Sequence, residues 1–352
     1  MNDRRAQIWI AVVAGIALAA LALLAGSATA SLSEPALALP PDVNAPSHVD
    51  QTTLGWGSGW ITLTPGTAET LTHNLGGDPD DYAVDLWFMD TDAGGYGINA
   101  RSYGGMEAGE EYYGAAWQHL TSNTIQVIRF ANDTFADYVR VRVWVPDPMP
   151  DYCSDWTLIG LGQTRVFTHS LGGNVDDYSV GMMFNSAARG ITHFAYGGLE
   201  FNTGTYVGAY WSDLNSSTVR VTRYAGGLPA AQVRICVTLP DSPDYDSGWV
   251  AVTQGTTETL SHDLLLNPNQ FRVRMSRKSG DGDIGINNIG AGGMVDAGDH
   301  SLGVNWENLT ANTIDVFRRS QDVHSDQVRV RIWARTHKIY LPHVLNDYGA
   351  SE

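Results

Sequence analysis

Three histidines recur in one setting along this chain. His73, His169 and His262 each follow a tryptophan by 13 residues, and each sits in a Thr/Ser-His-polar-Leu context. Imidazole titrates near neutral pH and serves as general base, pH switch or metal ligand. The same ring can also cap a strand end, and duplication would then copy it with no chemistry attached. Threefold repetition weighs against catalysis, since an enzyme needs one active constellation rather than three equivalent ones. No nucleophile elbow, His-Glu-x-x-His zinc motif or phosphate loop occurs in the sequence. A carboxylate pair for glycoside hydrolysis depends on three-dimensional spacing and stays open.

Carboxylates supply the second group of candidates. Asp78-Pro79-Asp80-Asp81, Asp90-Thr91-Asp92 and Asp281-Gly282-Asp283 crowd hard oxygen donors together, which suits calcium, although none completes an EF-hand loop. At the corresponding place the middle of the chain offers Asn174 with Asp176-Asp177. Such turns on an acidic protein also read as solvated loops, so no cofactor is required and calcium is the one metal to consider. Asp133 and Asp137 match Asp322 and Asp326, each pair standing 16 and 20 residues after a shared tryptophan. They form either an ion pair that ties Arg129 or Arg318 to a loop, or a polar ligand-contacting loop with Phe130 as its platform. Cys153 and Cys236 are the only cysteines, and they read as a disulfide between the first and last strands of one unit.

The elements that must position these groups repeat. Trp60, Trp156 and Trp249 open three segments, and aromatic residues Tyr82, Tyr178 and Phe271 follow the histidines by 9 residues. Then come Gly104-Gly105, Gly197-Gly198 and Gly292-Gly293, followed by Trp117, Trp211 and Trp306, each with Leu three and Arg twelve positions on. Each segment closes on a strand of alternating type: Val139 to Trp144, Val233 to Cys236, Val328 to Trp333. The histidines are 96 and 93 residues apart, which sets the period.

Period-two alternation dominates, with Val139, Val141, Val143 and Val145 on one face and Arg140, Arg142 and Trp144 on the other. Residues 60–63, 82–88 and 124–128 also read as strands, and no helix is expected after residue 30. The fold class is all-β, with three tandem antiparallel β-sandwich domains of about 95 residues each. Their expected bounds are 51–147, 148–240 and 241–335. The proline-rich joints Pro146–Tyr152 and Pro240–Tyr245 read as stiff spacers.

Arg4 and Arg5 precede an apolar run from Ile8 to Gly26, and Ala28-Thr29-Ala30 offers a cleavage site. Residues 1–30 therefore read as a signal peptide or a membrane anchor, and the remainder as extracytoplasmic. Residues 31–50 read as a disordered lead-in and 336–352 as a tail outside the last domain. A formal net charge of −17, from 38 acidic and 21 basic residues, argues against nucleic acid and anionic membrane surfaces as partners.

Trp117-Gln118-His119-Leu120-Thr121-Ser122-Asn123-Thr124-Ile125, running into Ala131-Asn132-Asp133-Thr134 and then Val139 to Val145, resembles the H-type lectin domain of snail agglutinins and discoidin C-terminal regions. The resemblance covers about 90 residues of each unit. It implies a six-stranded antiparallel sandwich, trimeric assembly and binding of N-acetylgalactosamine-like sugars. The family's binding residues do not carry over. Its loop tryptophan is absent, with Phe130, Tyr224 and Arg319 near that place, and Gly114-Ala115-Ala116 stands where its strand arginine would be. The middle unit reads Gly226-Gly227-Leu228-Pro229 where the first has loop acids.

The sequence thus points to a non-enzymatic extracellular or envelope binding protein for a glycan or cell-surface polymer. A structural or adhesive repeat protein without a small-ligand site is the alternative, and a secreted hydrolase stands third. Three fused copies are also expected to pack as a trimer within one chain.

Overall fold

Alternating valines set the register of the closing strands. Val139, Val141 and Val143 are fully buried on one face, as the period-two pattern requires. The computed structural model describes residues 49–50, 55–108, 111–201, 205–226, 231–239, 242–280, 284–295 and 301–334. The expected signal or anchor segment, the lead-in up to residue 48 and the tail lie outside the described residues. Among the described residues no helix is long and apolar enough to cross a membrane.

The molecule is all-β, and every ladder between its strands is antiparallel. One set of sheets occurs three times. Its larger sheet pairs a closing strand (Tyr138–Trp144, Gln232–Thr238, Gln327–Ala334) with a middle strand (Ala83–Asp90, Ser179–Ser186, Phe271–Lys278). A short edge strand (Gly97–Asn99, Gly190–Thr192, Ile286–Asn287) follows on the far side. A three-stranded sheet combines Ala68–Thr72, Thr124–Arg129 and the tryptophan strand Ala115–Gln118, with Thr164–Thr168, Thr218–Arg223 and Ala209–Ser212, and Thr257–Ser261, Thr313–Arg318 and Val304–Glu307, as its counterparts. A two-stranded hairpin completes each set, beginning at Met106, Leu199 and Met294. The hairpin was not legible in the sequence as a separate element.

The expected strand at 60–63 is reduced to one bridge, Ile61 to Val139. Its ladder is broken after Gly55–Gly57 because Gly59 takes a positive φ of 67°. The only helical elements among the described residues are three-residue 3-10 turns, Pro79–Asp81, Val175–Asp177 and Pro268–Gln270. Asp78, Asn174 and Asn267 accept from the backbone two residues on and so cap these turns.

The three sets touch in a closed ring of backbone hydrogen bonds. The tryptophan strand of the first set meets the edge strand of the second, with His119 N donating to Arg189 O (2.8 Å) and Leu120 N to Ile191 O (3.2 Å). The second meets the third through Asp213 N to Ile284 O (2.8 Å), and the third meets the first through Asn308 N to Tyr96 O (2.8 Å) and Leu309 N to Ile98 O (3.0 Å). Each junction hides a sheet edge that would otherwise invite aggregation.

The second face of the closing strands is covered as well, with Arg142, Trp144 and Arg331 buried. Its arginines grip the 3-10 turn of the preceding set around the ring. Arg140 donates to Asn269 and Arg142 to Phe271 O (2.9 Å). Arg234 pairs with Asp80 (3.2 Å), while Arg331 reaches the carbonyls of Asp176, Asp177 and Tyr178. The opening tryptophans follow the same course, with Trp60 Nε1 on Asn269 and Trp156 Nε1 on Asp80 (2.8 Å each). The cores interlock accordingly. Ile191 belongs to the apolar cluster of the first set, Ile286 to that of the second, and Trp60, Trp87 and Met89 to that of the third.

Candidate binding cavity

A cavity of about 530 Å³ lies where the three middle strands face one another. That volume falls in the range of small-ligand sites. Its wall takes Asp85 and Trp87 from the first middle strand, Gly181 and Met183 from the second, and Arg274 and Ser276 from the third. These are the same register positions in each repeat, occupied by different chemistry. The wall is therefore asymmetric although the backbone repeats.

The shared tryptophans Trp117, Trp211 and Trp306 line the cavity too, together with Tyr103, Tyr196, Trp144 and Trp333. Met149 and Leu239, both exposed, stand among the lining residues and mark its open side. At the inner side the glycine pairs let the sets approach. A Cβ on Gly197 would lie 2.6 Å from Ala291 N and Asn288 O, and one on Gly292 would lie 2.5 Å from Tyr103 N. Both glycines have φ near +80°, so only glycine fits there.

Asp85 is held between Arg274 (2.8 Å) and Arg142 (3.2 Å). Burial alone would push its carboxyl up, but Arg274 and then Arg142 hold it down at about 2. His193 is 1 % exposed and stacks on Trp117 at 4.8 Å with rings 12° apart. Trp117 N donates to its Nδ1 (3.2 Å), just as Trp211 N donates to Asn288 Oδ1 (2.7 Å) one set further on. Nδ1 also lies 3.3 Å from Trp117 O. The equivalence with Asn288 Oδ1, which only accepts, assigns Nδ1 as acceptor and leaves the proton on Nε2. Burial drives the His193 imidazole down to about 3, against a smaller opposing effect of the Trp117 carbonyl, which would accept from a protonated ring, so it is neutral. His193 Nε2 and Asn288 Nδ2 are buried and meet no protein acceptor. Burial also pushes the Tyr103 hydroxyl well above its ordinary range.

The residues singled out from the sequence occupy other places. His73, His169 and His262 are buried, and each Nδ1 accepts from the backbone of Leu75, Leu171 or Leu264 at 3.3–3.4 Å. Each ring meets an aromatic edge, Tyr82, Tyr178 or Phe271. Burial lowers all three pKa values, and each ring caps its turn through Nδ1.

Asp133 is buried and accepts from Gly114 N (2.7 Å), Phe135 N, Ala136 N and Arg129 Nε (2.8 Å). Asp322 repeats this with Gly303 N (2.9 Å) and Arg318 Nε (3.1 Å), and neither carboxylate has any exposed surface. That geometry is the loop-tying ion pair and does not present a ligand surface. Asp137 accepts from Thr91 N and Oγ1, while Asp326 takes Gly280 N and Arg318. Phe130 is half-buried, packed with Tyr112 and Phe194 and lying against Gly105.

Asp90, Asp92 and Asp137 bring one oxygen each within 4.8 Å of one another, the one carboxylate cluster of metal-ligand spacing among the described residues. Burial raises the Asp90 carboxyl, and Asp137 and Asp92 add to this, against hydrogen bonds from the Asp92 and Tyr96 backbone. The Asp80 cluster is spent on Arg234 and Trp156, and Asp281 and Asp283 lie outside the described residues. Cys153 and Cys236 form a disulfide across paired strands. No protein-family model, curated protein or solved structure matches the chain.

Proposed function

We propose that the protein is an extracytoplasmic binding protein that holds one carbohydrate ligand per chain in its central cavity. The observation that carries this reading is the wall itself: aromatic rings surrounding buried polar atoms that the protein leaves without partners. Flat aromatic faces bury the C–H surface of a sugar ring, while a few fixed polar groups orient its hydroxyls. The asymmetry of the wall favours one ligand over three equivalent weak sites, so avidity along the chain is not part of the reading. In this view the repeats act together as an intramolecular counterpart of a trimer, and residues 1–30, read as a signal peptide or membrane anchor, support an extracytoplasmic location for the cavity.

A glycan-array screen of residues 31–352 tests the proposal, followed by calorimetry on the best binder. The Trp333→Ala variant removes a half-buried ring of the wall and is expected to weaken binding about tenfold or more. An array with no saturable binder would move the weight to a structural repeat protein, and a Trp333→Ala variant with wild-type affinity would place the glycan outside the cavity.

A further inference from the structure

Arg277 stands where the other two sets carry Phe88 and Phe184, both 0 % exposed. Duplication supplied an apolar core residue at this register, and the third set has a guanidinium there at 4 % exposure. Burying a cation without a carboxylate partner opposes folding, so an apolar residue would be the more stable choice. Arg277 has no ion pair among the described residues: Nη1 donates to Ile289 O (2.7 Å) and Nε meets no acceptor. The acid that acts on it at longer range, Asp322, is already engaged by Arg318. Burial draws its pKa down to about 10, which leaves it charged at neutral pH.

Arg277 lines the same cavity as His193 and Asn288. The unmatched polar atoms of these three side chains, Arg277 Nε, His193 Nε2 and Asn288 Nδ2, are all donors. Asn305 Oδ1 is the one unmatched acceptor on the wall. A ligand that complements three buried donors, one of them on a cation, must be rich in acceptors and negatively charged. Arg274 on the adjacent wall is paired with Asp85, whereas Arg277 has no carboxylate within ion-pair distance among the described residues.

We infer that Arg277, His193 and Asn288 form an anion subsite of the central cavity, and that its ligand is an acidic sugar whose carboxylate they receive. This rests on the cavity being the carbohydrate site proposed above. A carboxylate placed there forms charge-assisted hydrogen bonds shielded from water, and a neutral sugar would leave the guanidinium uncompensated.

The test is calorimetric titration of residues 31–352 with digalacturonate, its methyl ester and inorganic sulfate, on wild type and Arg277→Met. The acid is expected to bind about tenfold or more tightly than the ester, sulfate to compete, and Arg277→Met to abolish the difference. Phe88 and Phe184 show that the position accepts apolar bulk, so the variant should keep its melting temperature or raise it. Equal affinity for acid and ester, or a difference that survives Arg277→Met, would overturn the subsite while leaving the carbohydrate reading intact. Sulfate binding that depends on Arg277 without any sugar binding would uphold the subsite and defeat the carbohydrate reading. Binding of none of the three probes would overturn the subsite.

Discussion

At the scale of single residues, the buried histidines make the protein sensitive to acid. His73, His169, His262 and His193 all have pKa values lowered by burial, while the unfolded chain titrates near 6.5. Between those limits the unfolded state binds more protons, so stability is complete above about pH 6.5 and falls as pH drops. Denaturant midpoints measured from pH 7.5 to pH 5 should decline steadily. His193→Asn should reduce that slope without unfolding the protein, because Asn288 already performs the same backbone contact one set later. Asp133→Ala removes one partner of a buried pair and should cost about 3–5 kcal/mol in chemical denaturation. Asp90, Asp92 and Asp137 do not line the cavity, so EDTA should leave glycan affinity unchanged. Of these groups, the repeated histidines and the Asp133–Arg129 pairing were legible in the sequence as residues that matter. The roles of His193, Asn288 and Arg277 were not. A residue that departs from its two repeat equivalents is visible only after the register is known, and alternation alone does not say which face a neighbouring set will cover.

At the scale of strands and turns, the glycine pairs were visible as a recurring signature, but their reason is the approach of one set to the next. Gly197→Ala combines a positive φ with a backbone clash and should cost at least about 2 kcal/mol. Gly172→Ala has a similar φ of 69° and open space, so it should cost about 1 kcal/mol, and thermal melts of the two variants separate strain from contact. The disulfide spans a sequence separation of 83, and its reduction should remove about 4–5 kcal/mol on the loop-entropy account. The other two sets hold the same strand pairing with Gly57 opposite Arg142 and Asp246 opposite Arg331, so the reduced protein should remain folded near 25 °C. The contacts of Arg140, Arg234 and Arg329 with the preceding set were not legible, because period two marks one buried side and is silent about what covers the other. Asn99, Thr192 and Asn287 went unnoticed although each accepts from the backbone two residues on and turns the edge strand. Asn and Thr alternate at that place, which hides the repeat from a pattern based on identity.

At the scale of the whole molecule, the ring of contacts changes what a repeat is. Each apolar cluster borrows side chains from the next set, so residues 241–335 expressed alone would expose the surface that covers Trp60, Trp87 and Met89. That fragment should be unfolded by circular dichroism, and the intact protein should melt in one transition. The all-β class and the threefold period follow from alternation and recurrence, which are local signals. Closure of the ring and the cavity inside it depend on contacts between residues up to about two hundred positions apart, and no local pattern reports those. The central claim is that one asymmetric cavity serves the whole chain. Native mass spectrometry of residues 31–352 with a bound acidic oligosaccharide tests it most directly. One ligand per chain, lost in the Trp333→Ala variant, is the predicted result; a series of up to three equivalent ligands per chain would contradict it.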